Sequence, residues 1–577
     1  MGDGERQGRK VMKRISLEVE TVAEAYLGLL KARGIDYLFA NAGTDFAPII
    51  EALVRGQKAG IAMPEPLAIA HETVAVAMAH GYYLLTGRPQ AVMVHVNVGM
   101  ANALMGLLNA ARDNVPILFT SGRTPLTEAG RLGSRDLPIH WGQEMRDQGG
   151  MLREYVKWDY ELRFGEQLEA IVDRALAIAM GAPRGPVYLS LPREALAAPL
   201  PGLSFADRPR LTPAAPPHPA PDAIDEAAVL LARAERPLIV TSRAGRDPGA
   251  FEALADLALR FAIPVVEFWP QQASLPTDHP MHGGFDVGSW LAEADCVLVL
   301  DALVPWIPSR HALPEGCKVI QIGPDPLFSG LPVRSFAADV AIASTPGVAI
   351  RALSAALDIR AAAAGDARRS KIREKTRELR EARLADAEAG RALPMTQAWV
   401  SRCLDRIKGE ESIVVNELGC DPSVMTFTRP DSLFGHSLAG GLGWGLPAAL
   451  GARLACPDRP VIAAIGDGSY LFANPVACHQ VAAALELPLL TIVFNNGRWD
   501  AVRKSTLSVY PDGHAARANR MPLTSLAPSP AYERIVAACG GHGELVEDPE
   551  ALPAALERAL QIVQTERRQA LLNVICR

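Results

Sequence analysis

The feature that most limits the possible folds of this chain is an alternation, repeated along its whole length, of short apolar runs with helical periods closed by glycine. A helical pattern over 21–33 ends at Gly34 and is followed by the apolar run 37–40. A second pattern over 71–85 leads through Gly87 to the run 90–96, and a third over 99–111 leads to 115–119. Strands joined by helices need crossover connections, so they pair in parallel and are covered by helices on both faces. The runs 237–241, 263–268, 296–300 and 318–322 repeat the pattern, as do 412–415, 461–465, 489–494 and 570–575. At 577 residues the chain is too long for one hydrophobic core. The expectation is an α/β protein of three doubly wound parallel-sheet domains, at 15–198, 222–357 and 394–577, the first and third sharing one plan. The stretch 199–221, which contains Pro216, Pro217 and Pro219, reads as an extended linker. The Ala-, Arg- and Glu-rich stretch 359–393 reads as a solvated connecting helix.

Composition narrows the function. With 49% apolar and 21% charged residues the chain has the profile of a globular enzyme rather than a disordered segment. A net charge of −6 with no long basic run excludes a nucleic-acid partner and leaves a small molecule as the target. No apolar stretch of about 20 residues exists, so no membrane span is expected. The polar, basic stretch 2–13 lacks the apolar segment of a secretory signal; disorder there and a cytoplasmic location are expected. The eight cysteines form no C-x-x-C pair, which argues against both a zinc site and a disulfide framework.

The strongest chemical signal is Gly466-Asp467-Gly468-Ser469 directly after the run 461–465, with Asn495-Asn496 directly after 489–494. Open α/β sheets bind ligands at the carboxyl ends of their strands, and glycines there let backbone N–H groups approach a diphosphate. Asp467 and Asn496 add hard oxygen donors that suit Mg²⁺ shared with phosphates. A Gly-Asp-Gly alone is an ordinary turn, but here 26 residues (469–494) separate the triplet from the Asn pair. Upstream, Ala439-Gly440-Gly441-Leu442-Gly443-Trp444-Gly445-Leu446-Pro447 joins a loop to a helix, and a packing helix does not explain four glycines.

With that spacing and that glycine loop the chain resembles the thiamine diphosphate-dependent enzymes, in the group of acetolactate synthase, benzoylformate decarboxylase and pyruvate decarboxylase. The resemblance is dense over 438–496. It implies pyrimidine-binding, central and diphosphate-binding domains, with thiamine diphosphate and Mg²⁺ as cofactors. It implies Asp467, Asn496 and the backbone carbonyl of Arg498 as metal ligands, and Gly468 and Ser469 on the diphosphate. Gly440, Gly441, Gly466, Asn495, Gly497 and Trp499 are further cofactor-binding candidates, and Leu442 is the residue that props the cofactor into its bent form.

Glu72, which follows His71 at the start of a helical pattern, would on its own be a residue that complements a helix dipole. The resemblance makes it the acid bonded to N1′ of the aminopyrimidine. His95 takes the place of the active-site histidine of benzoylformate decarboxylase, and Thr44, in Asn41-Ala42-Gly43-Thr44, that of its serine. His436 stands where that decarboxylase has an aromatic pocket residue, which points to a smaller or more polar substrate than an aryl 2-oxo acid. Ala501 and Val502 are pocket candidates or core residues of the following helix, and Glu417 is a possible second carboxylate. The central domain carries Asp301-Ala302-Leu303-Val304-Pro305 where FAD-binding members have an arginine-bearing stretch, so FAD is not expected.

The implied activity is carbon–carbon bond cleavage or formation next to the carbonyl of a 2-oxo acid. A benzoylformate decarboxylase-like decarboxylase is the leading reading, with an acetolactate synthase-like carboligase or a 2-hydroxyacyl-CoA lyase as alternatives. A catalytically lapsed partner subunit is the non-enzyme alternative, and intact Glu72, Leu442, Asp467 and Asn496 argue against it. Family members bind the cofactor between two chains, so a homodimer or a dimer of dimers is implied.

Overall fold

The computed structural model describes residues 13–360 and 366–577, so most of the stretch 2–13 and residues 361–365 of the connecting segment lie outside the described residues. The chain divides into two compact units, the first ending at Ala214 and the second beginning at Ala215.

In the first unit the strands are β1 (Arg14–Leu17), β2 (Tyr37–Asn41), β3 (Glu65–Ala68), β4 (Ala91–Val94), β5 (Leu118–Arg123), β6 (Asp159–Glu161), β7 (Val187–Pro192) and β8 (Leu203–Ala206). Six of them form a parallel sheet in the order β3-β2-β4-β5-β7-β6. Every residue of β4 and β7 is buried, as expected for central strands covered on both faces, and the sequence of β4 is accordingly apolar without alternation. β1 and β8 pair antiparallel as a separate two-stranded ribbon. This corrects the reading of 199–221 as linker throughout: Leu203 and Phe205 alternate with Ser204, and both apolar side chains are buried. The prolines act further on, where 207–220 is irregular until Pro221 opens a helix.

The second unit holds two parallel sheets. The strands β9 (Pro237–Thr241), β10 (Val265–Glu267), β11 (Cys296–Leu300), β12 (Lys318–Gly323) and β13 (Val340–Ala343) lie in the order β10-β9-β11-β12-β13. The strands β14 (Ile413–Glu417), β15 (Leu433–Gly435), β16 (Val461–Gly466), β17 (Leu490–Asn495), β18 (His542–Val546) and β19 (Ala570–Ile575) lie in the order β15-β14-β16-β17-β19-β18. Three α/β parallel sheets are therefore present, and the first and third have the same order relative to their own first strands. In both, the strand sequence reverses direction beside the first strand, between β2 and β4 and between β14 and β16. Open sheets of this kind hold ligands outside the carboxyl ends of such a pair.

Loops that follow β10 and β14 bond the two sheets' halves of the second unit to each other. Thr277 and Phe427 exchange hydrogen bonds of 2.9 Å through Thr277 N–H to the Phe427 carbonyl and Phe427 N–H to Thr277 Oγ1. The helix Asp366–Ala389 buries only Ile372 and Ala387, and its Arg380 donates to the Thr277 carbonyl at 2.9 Å and to Thr426 Oγ1 at 3.0 Å. All eight cysteines are free, and no described helix is long and apolar enough to cross a membrane.

Candidate active site

Four adjacent strands of the third sheet each end on a candidate residue. His436 follows β15, Glu417 closes β14, Gly466-Asp467 joins β16 to a helix, and Asn495-Asn496 ends β17. Asp467 is the first residue of the helix Asp467–Phe472. Its Oδ1 accepts the Gly468 N–H at 2.9 Å, and its Oδ2 accepts the Gly497 N–H at 2.8 Å, which ties the two halves of the motif together. Asn495 Oδ1 also accepts the Gly497 N–H, at 3.1 Å, while its amide donates to Asn573 Oδ1 at 3.0 Å. Asn496 Oδ1 accepts the Arg498 N–H at 3.0 Å, and the Arg498 carbonyl accepts the Asp500 N–H at 3.0 Å. The Trp499 ring lies over Gly468, where any Cβ would overlap it.

The glycine loop is held from below. Glu417 is buried, and its Oε1 accepts the Gly443 N–H at 2.7 Å while Oε2 accepts the Gly445 N–H at 2.6 Å. Burial pushes its carboxyl up to about 7, against which these backbone bonds and the Ser469 side chain act. Gly443 has φ +87° and faces the Phe472 carbonyl, so no Cβ fits there. Half-buried Leu442 and Gly441 lie between it and exposed Gly440. The partly buried ring of His436 meets Trp269 edge-on, with centroids 5.7 Å apart, and loss of solvent drives its pKa down to about 4, which leaves a neutral imidazole. The helix Asp500–Val509 buries none of its residues, so Ala501 and Val502 are exposed and are not core residues of that helix.

In the first unit the candidates likewise follow three neighbouring strands. Thr44 comes after β2, Glu72 after β3 and His95 after β4. His71 caps the helix Glu72–Thr86 by accepting the Thr73 N–H at 3.2 Å. Buried Glu72 accepts the Asn102 amide at 3.2 Å, so one carboxylate oxygen is anchored to the next helix. Thr44 is exposed at the start of a short helical turn.

His95 is more tightly arranged than a strand-end cap requires. Its Nδ1 lies 2.6 Å from Asp45 Oδ1, and its Nε2 lies 3.2 Å from the Gln143 side-chain amide. Asp45 Oδ2 also accepts the Val96 N–H at 3.3 Å. A Cβ on Gly43 would overlap the imidazole, and one on Gly122 would overlap the Asp45 carboxylate. Val96 sits at φ +29°, a strained value for a β-branched residue. The strand stops at Val94 and the helix starts at Val96, where the sequence suggested a strand to 96 and a helix from 99. That sharper corner aims His95 along the strand end.

Asp45, Gln143 and Gly122 escaped the sequence reading. Asp45 follows Thr44 and looks like any turn aspartate, and nothing in the spacing joins it to a histidine 50 residues away. Gln143 and Gly122 lie further along the chain, beyond any local pattern.

The donor set at the third sheet fits a hard divalent cation. Asp467 is a buried carboxylate that no described Lys, Arg or His side chain pairs with, and burial raises its pKa. A cation would supply the missing countercharge, and Asn496 and the Arg498 carbonyl are neutral oxygens of the right kind.

Comparison with known proteins bears on the same segments. Residues 20–151 match the thiamine pyrophosphate enzyme N-terminal TPP binding domain, 224–353 the central domain and 418–574 the C-terminal TPP binding domain. A sulfoacetaldehyde acetyltransferase of Rhodobacter capsulatus is 27% identical over 582 aligned residues, covering 94% of this chain and 92% of that protein. A benzoylformate decarboxylase of Pseudomonas aeruginosa is 27% identical over 502 aligned residues, covering 84% and 88%. The fold is that of a thiamine diphosphate-dependent 4-hydroxybenzoylformate decarboxylase from Rhodococcus jostii, with a TM-score of 0.75 at 23% identity, covering 96% of this chain and 99% of that one. With all three domain types matched in order, and with the Gly-Asp-Gly and Asn-Asn segments joined at one sheet edge, the chain belongs to the thiamine pyrophosphate enzyme family.

Proposed function

We propose that this protein is a thiamine diphosphate- and Mg²⁺-dependent enzyme that cleaves a 2-oxo acid next to its carbonyl, as a decarboxylase of the benzoylformate decarboxylase type. The observation that carries the proposal is the bond from Gly497 N–H to Asp467, which joins both motif halves at one glycine-lined sheet edge. In this reading Asp467, Asn496 and the Arg498 carbonyl hold Mg²⁺. Gly466, Gly468, Ser469, Asn495, Gly497 and Trp499 receive the diphosphate, and Gly440, Gly441 and Leu442 support the rest of the cofactor. Thiamine diphosphate supplies the electron sink for the carbanion chemistry when bound.

The chain's own groups do the remaining work. Glu72 holds a proton toward the aminopyrimidine nitrogen, and its anchoring by Asn102 fixes which carboxylate oxygen is available. His95 moves protons to and from the substrate at Nε2, since Asp45 occupies Nδ1, and the substrate takes the place there of the Gln143 amide 3.2 Å away. Thr44 and the neutral His436 offer hydrogen bonds to a small polar substrate. A homodimer, in which the first unit of one copy completes the site on the second unit of another, is part of the proposal.

A second reading, acyl transfer to an acceptor, is favoured by the nearly full-length likeness to a sulfoacetaldehyde acetyltransferase. Incubating the holoprotein with a panel of 2-oxo acids, alone and with aldehyde acceptors, and identifying products by mass spectrometry separates the two. Asp467→Ala tests the shared core: calorimetry is expected to show loss of Mg²⁺-dependent thiamine diphosphate binding, and unchanged affinity would refute the site.

A further inference from the structure

Glu417 is a buried carboxylate with no cation beside it among the described residues, at the end of the strand that borders the ligand-binding edge, and the chemistry above makes no use of it. Its hydrogen bonds are unusual in what they connect. Both carboxylate oxygens are taken by backbone amides of the glycine loop, Gly443 N–H at 2.7 Å and Gly445 N–H at 2.6 Å. The Ser469 side chain, next after Gly466-Asp467-Gly468, favours the charged form of the same carboxylate. A Cβ on Gly445 would come within 2.8 Å of the Glu417 Cβ, so the loop lies directly against the glutamate.

We propose that Glu417 is a positioning residue that fixes the Leu442 turn at the carboxyl edge of the third sheet. The inference rests on the reading that Leu442 lines the thiamine diphosphate site.

Two features carry it. Leu442 immediately precedes the first amide that Glu417 holds, and Gly443 sits at φ +87°, where a residue with a Cβ would be strained. A loop with four glycines between 440 and 445 has little conformational preference of its own, so the carboxylate supplies the order that the sequence there lacks.

The test compares Glu417→Gln with the parent in two measurements. The amide side chain keeps the shape but has one acceptor oxygen where two amides need partners. In the cofactor-free protein, backbone hydrogen exchange of the peptide spanning 440–446 should quicken by about tenfold, and exchange in the peptide spanning β17 should not, because one buried N–H loses its acceptor. In calorimetry with Mg²⁺, the Kd for thiamine diphosphate should rise by about tenfold at a temperature well below either variant's melting point. A merely structural role would lower the melting temperature and quicken exchange throughout the sheet without moving Kd, and that result overturns the proposal. So does parent-like exchange at 440–446. If the parent itself fails to bind thiamine diphosphate, the functional reading fails, while the exchange measurement still decides whether Glu417 orders the loop.

Discussion

At the scale of single residues, the arrangement around His95 turns a common sequence feature into a specific one. A histidine at a strand end is ordinarily a cap, but here both ring nitrogens are engaged and two glycines make room for the pair. If Asp45 fixes the ring's tautomer, Asp45→Asn should lower kcat by about 10²-fold while leaving the Kd for thiamine diphosphate within about twofold, and His95→Ala should lower it by about 10²–10⁴-fold. Steady-state kinetics with calorimetry on both variants checks this; an Asp45→Asn enzyme with parent kcat would leave Asp45 a structural residue only. Glu417 gives a pH signature. Its carboxyl is raised from the ordinary 4.5 to about 7, so the folded protein holds a proton between these values that the unfolded chain has released. This contribution to stability is fully present below about 4.5 and is lost as pH rises through about 7. The melting temperature of Glu417→Gln, measured relative to the parent, should therefore be higher at pH 8 than at pH 5.5. A difference independent of pH would show that the carboxyl titrates near its ordinary value.

At the scale of elements, the glycine loop separates positions where glycine is required from those where it is convenient. Gly440 has φ +71° and open space around it, so Gly440→Ala should cost only the left-handed backbone penalty, about 1–2 kcal/mol. Gly443 combines φ +87° with the Phe472 carbonyl in its way, and Gly443→Ala must displace the loop that Glu417 holds. Thermal melts and calorimetry on the two variants should rank Gly443→Ala well below Gly440→Ala in both stability and cofactor affinity. Equal effects would mean that the loop relaxes freely. The ribbon of β1 and β8 shows the complementary case, in which a proline-rich neighbourhood hides a short strand whose apolar alternation covers only four residues.

At the scale of the whole molecule, the repeated strand order of the first and third sheets places Thr44, Glu72 and His95 on one carboxyl edge, and Glu417, His436, Asp467 and Asn496 on another. The proposed sharing of the site between two copies of the chain predicts an obligate homodimer. Phe472 is 53% exposed and Val476 64% exposed beside the diphosphate motif, apolar surface of the kind that a second copy would bury. Light scattering at assay concentration should show a dimer or a dimer of dimers, and an active monomer would contradict the shared site. The same measurement on Phe472→Glu should show dissociation together with loss of turnover.

The sequence by itself determined the parallel α/β class, because apolar runs such as β4, β16 and β17 carry their burial in composition, and it placed the Gly-Asp-Gly and Asn-Asn segments at strand ends. Thr44, Glu72, His95 and His436 were singled out by the family resemblance; the first three also follow apolar runs that local patterning reveals, while His436 follows β15, which it does not. Whereas β10 was legible inside the longer apolar run 263–268, strands of three residues such as β6 and β15 were not, because so short a segment has no measurable period and is fixed by its neighbours in the sheet. Nor were the partners of the site residues: Asp45 reaches His95 across two strands, and Glu417 reaches Gly443 and Gly445 across 26 and 28 residues. Strand order brings such groups together, and strand order is settled by the packing of helices on both faces of a sheet, a tertiary property that no local stretch of sequence contains.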